Sequence, residues 1–194
     1  ATEPKICKYI DLPLQHANDD ILKAMLRQDG RSDIEKLLSK LRDRIPGITI
    51  RTSFIVGFPG ETEEHFEDLR QFVTEQRFDR VGVFTYSQEE DTIAGDLPNQ
   101  VSDEVKQERY HNLMSLQCQI SEELNQDLEG TVLDILIEQG STEEDKIVSG
   151  RSYREAPDVD GHIFVENADL CKSGDVIQAK ILQGFTYDVV AVKL

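Results

Sequence analysis

Ile50-Arg51-Thr52-Ser53-Phe54-Ile55-Val56-Gly57-Phe58-Pro59-Gly60-Glu61-Thr62 is the stretch whose reading decides the fold. It follows Pro46-Gly47, runs mostly apolar and β-branched, and breaks at Gly57-Phe58-Pro59-Gly60. Such a run between turn signals predicts a strand buried on both faces, as parallel sheets require. Thr62 is placed to cap a helix, and Glu61, Glu63 and Glu64 sit where the positive end of that helix favours carboxylates. The unit reads as strand, glycine-rich turn, helix. In parallel α/β architectures ligands bind beyond the carboxyl ends of the strands, which makes the turn a candidate site. Gly57 and Gly60 would let backbone approach a ligand with no Cβ in the way. A tight connecting turn without a ligand accounts for the same spacing.

Outward from this unit the same alternation repeats. Upstream, Cys7-Lys8-Tyr9-Ile10-Asp11-Leu12 predicts a second buried strand that runs into Pro13-Leu14-Gln15-His16. Asn18 caps a helix with Asp19 and Asp20 in its first turn and Ile21, Leu22, Met25 and Leu26 at helical spacing. After Gly30, Ser32 starts another helix, whose apolar side is Ile34, Leu37, Leu38 and Leu41 and which ends before Pro46. Downstream, Phe66, Leu69, Phe72 and Val73 form the buried stripe of the helix after Thr62, and Asp79 to Ser87 reads as a third apolar strand. Strand and helix alternate from residue 6 to 87, the pattern of βα units around a parallel sheet.

A polar linker, Gln88 to Gln100, precedes a long helix that Ser102 caps and that runs to about residue 127. Val105, Tyr110, Leu113, Leu116, Ile120 and Leu124 mark its expected packed side. After Gly130 the pattern becomes all-β. Thr131–Ile137, Lys146–Val148, His162–Val165, Val176–Leu182 and Tyr187–Val192 read as five short strands separated by turn clusters. Five strands in so short a span predict a small barrel of the oligonucleotide/oligosaccharide-binding (OB) kind.

Composition narrows the functional classes. Across 194 residues, 38 acidic side chains outweigh 21 basic ones, for a formal charge of -17. Such a surface repels phosphate backbones and attracts cationic partners. An apolar content of 38% with 8 Phe supports a packed core rather than disorder. No apolar run approaches the roughly 20 residues of a membrane span. The opening Ala1-Thr2-Glu3-Pro4-Lys5 lacks the features of a signal peptide. Three dispersed cysteines, Cys7, Cys118 and Cys171, argue against a disulfide framework, so a cytoplasmic location is expected.

Three stretches taken together resemble the radical S-adenosylmethionine (SAM) methylthiotransferases. They are Tyr9-Ile10-Asp11-Leu12-Pro13-Leu14-Gln15-His16, Arg51 to Thr62, and Phe84-Thr85-Tyr86-Ser87-Gln88-Glu89-Glu90. The terminal strands resemble that family's TRAM domain. Pro98-Asn99-Gln100-Val101 and Gly150 to Gly161 are similar to the branch that methylthiolates an aspartate of a small-subunit ribosomal protein. Asp91 and Ile93 stand where the family usually has Gly and Pro. The resemblance implies an α/β fold followed by an all-β one. A partial (βα) radical-SAM barrel, present as its last three strands, would occupy residues 1–100. A linking helix would span 101–129, and a five-stranded OB-like TRAM β-barrel 130–194.

The resemblance further implies S-adenosylmethionine and two 4Fe-4S clusters as cofactors of the parent enzyme. Thiolate ligation of a cluster needs cysteines grouped in one loop, and Cys7, Cys118 and Cys171 form no such group. The chain is therefore expected to be a fragment, inactive alone, with no catalytic and no metal-ligating residue; its cysteines read as ordinary thiols. The later strands would line the cofactor through Gln15, Arg51, Thr52 and Ile55. Arg51 or Gln15 would face the methionine carboxylate or ribose, and the Ile55 backbone the adenine. A salt bridge at a strand start accounts for Arg51 as well. His16 reads as a core histidine bonded to backbone, Glu61 as a helix-start carboxylate, and Glu143-Glu144-Asp145 as a solvated loop.

Charge separates the branches. Residues 130–194 carry 6 Lys/Arg against 12 Asp/Glu, leaving 15 and 26 for the rest. A module gripping RNA needs a basic patch, so the expected partner is a basic small-subunit ribosomal protein, with tRNA and membranes disfavoured. A tRNA methylthiotransferase and a non-enzymatic OB-like binding module are the alternatives.

Overall fold

Apolar residues from Thr49 to Val56 form β2, the central strand of a three-stranded sheet between β1 (Tyr9–Asp11) and β3 (Arg80–Thr85). The computed structural model describes residues 2–140 and 147–194, so the acidic run Glu143-Glu144-Asp145 lies outside the described residues. β2 and β3 run parallel, with Ser53 opposite Gly82 and Ile55 opposite Phe84. Burial alternates along β2: Ile50, Thr52, Phe54 and Val56 are buried, whereas Arg51, Ser53 and Ile55 are half-buried. The expectation of burial on both faces is corrected here. Successive side chains point to opposite faces, and only one face is packed on helix: Phe54 meets Phe72 and Phe78 edge-on. β1 is also shorter than expected: Cys7 and Lys8 lie outside it, and past its other end Pro13 has no N–H to continue the ladder.

The helices follow their caps. Asn18 accepts from the Asp20 and Ile21 N–H groups and starts α1 (Asp19–Ala24). α2 (Arg31–Arg44) begins one residue before Ser32, with Gly30 in the cap position. The cap is supplied from a distance: Asp19 Oδ1 accepts the Arg31 N–H at 2.7 Å. Of the expected apolar side of α2, Ile34 and Leu38 are buried, Leu41 is half-buried and Leu37 is exposed. α3 (Glu63–Gln76) opens with Thr62 and His65 exchanging side-chain and backbone hydrogen bonds, and it buries Phe66, Leu69, Phe72 and Val73 as expected. Asp91, where the resembling family usually has Gly, sits at φ 60°; aspartate is among the few residues that enter this region at low cost.

The long helix, α4 (Asp103–Gln126), overturns its predicted stripe. Leu113 and Ile120 are buried, but Val105, Tyr110, Leu116 and Leu124 are only half-buried. Lys106, Arg109, Gln117, Ser121 and Asn125 are buried in their place. Gln117 Nε2 donates to the Phe78 carbonyl at 2.9 Å, and Asn125 Nδ2 to the Phe185 carbonyl at 2.7 Å. Polar heads are buried here because they satisfy backbone carbonyls that would otherwise lack donors.

The remaining strands, β4 (Val132–Gln139), β5 (Val148–Arg151), β6 (Ile163–Glu166), β7 (Val176–Gly184) and β8 (Val189–Lys193), close a barrel in the order β4-β5-β6-β8-β7. β6 and β8 pair in parallel and the other neighbours antiparallel. Its interior is filled by Ile135, Ile137, Val148, Ile163, Val165, Ala179, Ile181, Val189 and Ala191, one from every second strand position. Two compact units result, residues 10–117 and residues 1–9 with 118–194.

Candidate functional site

The carboxyl ends of β1, β2 and β3 open into a cleft of about 350 Å³ whose walls include Gln15, Met25, Leu26, Ile55, Phe58 and Tyr86. That volume lies within the range of small-molecule sites, roughly 300–1,000 Å³. Two wall residues hold backbone conformations that L side chains avoid, Gln15 at φ 73° and Leu26 at φ 59°. Gln15 is pinned there by β2: its N–H donates to the Ser53 carbonyl at 2.9 Å, and its carbonyl accepts from Ile55 N–H at 2.8 Å. Among the described residues the Gln15 side-chain amide has no hydrogen-bond partner. Strain of this kind persists where the surroundings over-determine it, and it concentrates at binding sites. Tyr86 packs edge-on against Phe58 with ring centroids 5.2 Å apart, and its buried hydroxyl has no hydrogen-bond partner among the described residues.

The glycine turn is built differently from expectation. Gly57 and Gly60 do take positive φ, 75° and 84°. The close approach at Gly57, however, is made by a side chain: a Cβ there would come within 2.3 Å of Lys106 Cγ, while Gly60 is open. Glu61 is not a helix-start carboxylate. It precedes the Thr62 cap, and its side chain turns back with no solvent exposure to accept from Gly57 N–H at 2.8 Å and Phe58 N–H at 3.3 Å. Its other oxygen accepts from Arg109 Nη1 at 2.9 Å. Its place before the cap is the signal that could have separated it from Glu63 and Glu64. Nothing local in the sequence marks Arg109, 48 residues further on.

Of the four expected cofactor contacts, the structure brings Gln15 and Ile55 together in the cleft. Arg51 and Thr52 lie elsewhere. Arg51 pairs with Asp11 at 2.6 Å near the start of β2. Thr52 is buried on the opposite face from Ile55, where its hydroxyl accepts from Leu14 N–H at 3.3 Å. Thr52 thus secures the segment that delivers Gln15. His16 is fully buried and its Nδ1 accepts from Asn18 N–H at 3.0 Å, the backbone role read from the sequence.

Iron–sulfur chemistry finds no donor set here. Cys7 is exposed, Cys118 half-buried and Cys171 buried. Among the described residues no group of three His, Cys, Asp or Glu side chains could hold a metal. The cysteines present do not fit a cluster. The cleft does fit a small amphipathic ligand, with apolar walls and a few unengaged polar groups. No helix among the described residues is long and apolar enough to cross a membrane.

Known proteins place these features. A radical SAM superfamily model matches residues 3–73, and a TRAM domain model matches residues 129–193. The ribosomal protein uS12 methylthiotransferase RimO of Desulforamulus reducens is 49% identical over 97% of this chain and 43% of its own length. Its namesakes in Heliobacterium modesticaldum and Geobacter sulfurreducens are 55% and 47% identical over 84% and 97% of the chain. The chain spans less than half the length of these curated relatives, 43%, 35% and 42% respectively. Among solved structures, the radical SAM enzyme coproporphyrinogen III oxidase (HemN) from Escherichia coli overlays with a TM-score of 0.50 at 21% identity. That overlay covers 58% of this chain and 27% of the other, and it is a likeness of fold. Radical SAM membership implies S-adenosylmethionine and iron–sulfur chemistry in the family. With a radical SAM segment followed by a TRAM domain, and relatives of that name along nearly all of its length, the chain is similar throughout to the radical S-adenosylmethionine methylthiotransferases.

Proposed function

We propose that this chain is the cofactor-cleft and substrate-binding portion of a methylthiotransferase that acts on an aspartate of a small-subunit ribosomal protein. In this reading the full-length enzyme carries two 4Fe-4S clusters, whose ligands are not among the residues of this chain. S-adenosylmethionine supplies the radical and the methyl group there, and this chain's residues bind and orient it. The observation that carries the reading is the cleft itself, where a strained Gln15 with an unengaged amide faces Ile55 at the carboxyl ends of the strands. The Gln15 amide would bond the methionine or ribose end of the cofactor. The backbone around Ile55 and the ring of Phe58 would line the adenine and keep water from it. Arg51 acts through its ion pair with Asp11 and Thr52 through Leu14, both by holding the Gln15 segment.

The acidic barrel serves as the face for a basic protein partner. Asp158, Asp160, Glu166 and Asp169 are its candidate contacts; Asp160 also anchors Ala156 N–H at 2.8 Å and the Tyr9 hydroxyl at 2.7 Å. The charge of 6 Lys/Arg against 12 Asp/Glu in residues 130–194 favours a basic protein over tRNA.

Calorimetry with S-adenosylhomocysteine tests the cofactor half. The chain is expected to bind it, and Gln15→Ala to weaken binding about tenfold, the size of one hydrogen bond to a charged or strongly polar group, with an unchanged melting temperature. Unchanged affinity with a lowered melting temperature would assign Gln15 to structure. For the partner half, binding of a basic small-subunit ribosomal protein to the whole chain should weaken as salt rises, because exposed charges are screened over about 8 Å at physiological ionic strength. Preference for tRNA at that salt would move the chain to the tRNA branch.

A further inference from the structure

Arg109 projects from α4 with 6% of its side chain exposed, toward a carboxylate with none. Its Nη1 donates to Glu61 Oε1 at 2.9 Å and to the Glu61 carbonyl at 3.1 Å, and its Nη2 reaches Glu63 Oε2 at 3.4 Å. Glu61 in turn holds the two N–H groups of Gly57 and Phe58 through Oε2. The positive φ at Gly57 turns these successive N–H groups to one side, the arrangement that cradles an anion. The anion is built into the chain. On its other flank His16 Nε2 lies 3.7 Å from Glu61 Oε2, beyond hydrogen-bond length, so the segment carrying Gln15 abuts the same carboxylate. Neither Glu61 nor Arg109 lines the cleft, yet Phe58, which does, donates its N–H to Glu61, and Gln15, which also does, is the chain neighbour of His16.

We propose that Arg109 is a positioning residue for the cleft, holding Glu61 as a buried anion so that Glu61 sets the backbone of the Gly57–Phe58 turn. A carboxylate left without a partner at zero exposure is costly and would turn toward water, which releases the two turn N–H groups. The guanidinium prevents this: its Nη1 donates to the carboxylate and the carbonyl of Glu61 at once, while the other arm of the fork, Nη2, reaches Glu63. A lysine ammonium offers the charge without the planar fork and is not equivalent. The affinity part of this inference rests on reading the cleft as the S-adenosylmethionine site; the part concerning the turn does not.

The test uses the whole chain, with S-adenosylhomocysteine as the probe for calorimetry and nitrogen–proton spectra resolving the Gly57 and Phe58 amides. Arg109→Lys is expected to stay folded, lower probe affinity about tenfold, and move both amide protons upfield as Glu61 swings away and releases them. Methylguanidinium added to Arg109→Ala should restore part of the affinity and return both amides toward their original positions. If the single variants do not fold, Arg109→Met with Glu61→Gln removes both charges together, a change that buried ion pairs tolerate; it should fold and show the same amide shifts. Unmoved amides in the folded variants overturn the proposal, as does full probe affinity in Arg109→Lys. Should the unaltered chain not bind the probe, the cofactor reading fails, and the amides alone decide whether Arg109 holds the turn.

Discussion

Each of the two units buries a glutamate that closes a turn, but with different reach. In the α/β unit Glu61 caps the Gly57–Phe58 backbone and is held by Arg109, 48 positions away. In the barrel Glu155 accepts from Ser152 N–H at 2.9 Å and Ser152 Oγ at 2.7 Å, and the same Oγ accepts from Arg154 N–H at 3.1 Å. That second turn is closed by residues within three positions of one another. The surrounding cores differ in the same way. The α/β unit packs large rings, Phe54, Phe66, Phe72 and Phe78, between sheet and helices, whereas the barrel interior is wholly aliphatic apart from Cys171. A small barrel has a narrow interior, which aliphatic side chains fill here, and the Ser152–Glu155 turn is closed by near neighbours. An open sheet with a cleft at its edge has to brace that edge from elsewhere in the chain. The difference lies in the buried glutamates: the one beside the cleft is held by a side chain distant in sequence.

The largest expected effect breaks the comparison at its glutamates. Glu61→Ala leaves Arg109 buried without its carboxylate and should destabilise the α/β unit by about 3–5 kcal/mol. Glu155→Ala, which removes a locally satisfied acceptor, should cost about 1–3 kcal/mol. Urea titrations of the two variants measure the gap, and equal losses would abolish the distinction of reach.

Core truncations sharpen it next. Phe72→Ala should cost about 3–5 kcal/mol, while Ile163→Val in the barrel should cost about 0.5–1.5 kcal/mol, each read from denaturant midpoints at unchanged slope. A Phe72 loss as small as the Ile163 one would mean that the aromatic layer collapses around the gap.

Two left-handed glycines give a third comparison. Gly174→Ala in the barrel, at φ 94° with open space around it, should cost about 1–2 kcal/mol from backbone strain alone. Gly57→Ala adds the clash with the Lys106 stem, a further amount of about 1–3 kcal/mol typical of overpacking. Melting temperatures of the two variants rank them directly.

Features of short range were legible without the structure. The strand, turn and helix from Thr49 to Gln76 follow from a β-branched run, two glycines and a Thr62 cap, all signals spanning a few residues. The closed barrel was legible for the same reason, since five alternating runs separated by turn clusters admit few arrangements. Gln15 and Ile55 were placed in the cleft because the carboxyl ends of parallel strands converge whatever the side chains are. What the amino-acid order left open was which face of β2 is covered, since an apolar run reads alike whether one or two layers pack on it. It also left open which residues of α4 turn inward. Arg109, Gln117 and Asn125 look like a solvated face until the carbonyls and the Glu61 carboxylate they serve are brought to them. Periodicity reports hydrophobicity, and a buried polar side chain is stabilised by a partner distant in sequence, so only the tertiary structure decided that the Gly57–Phe58 turn is held by a buried ion pair.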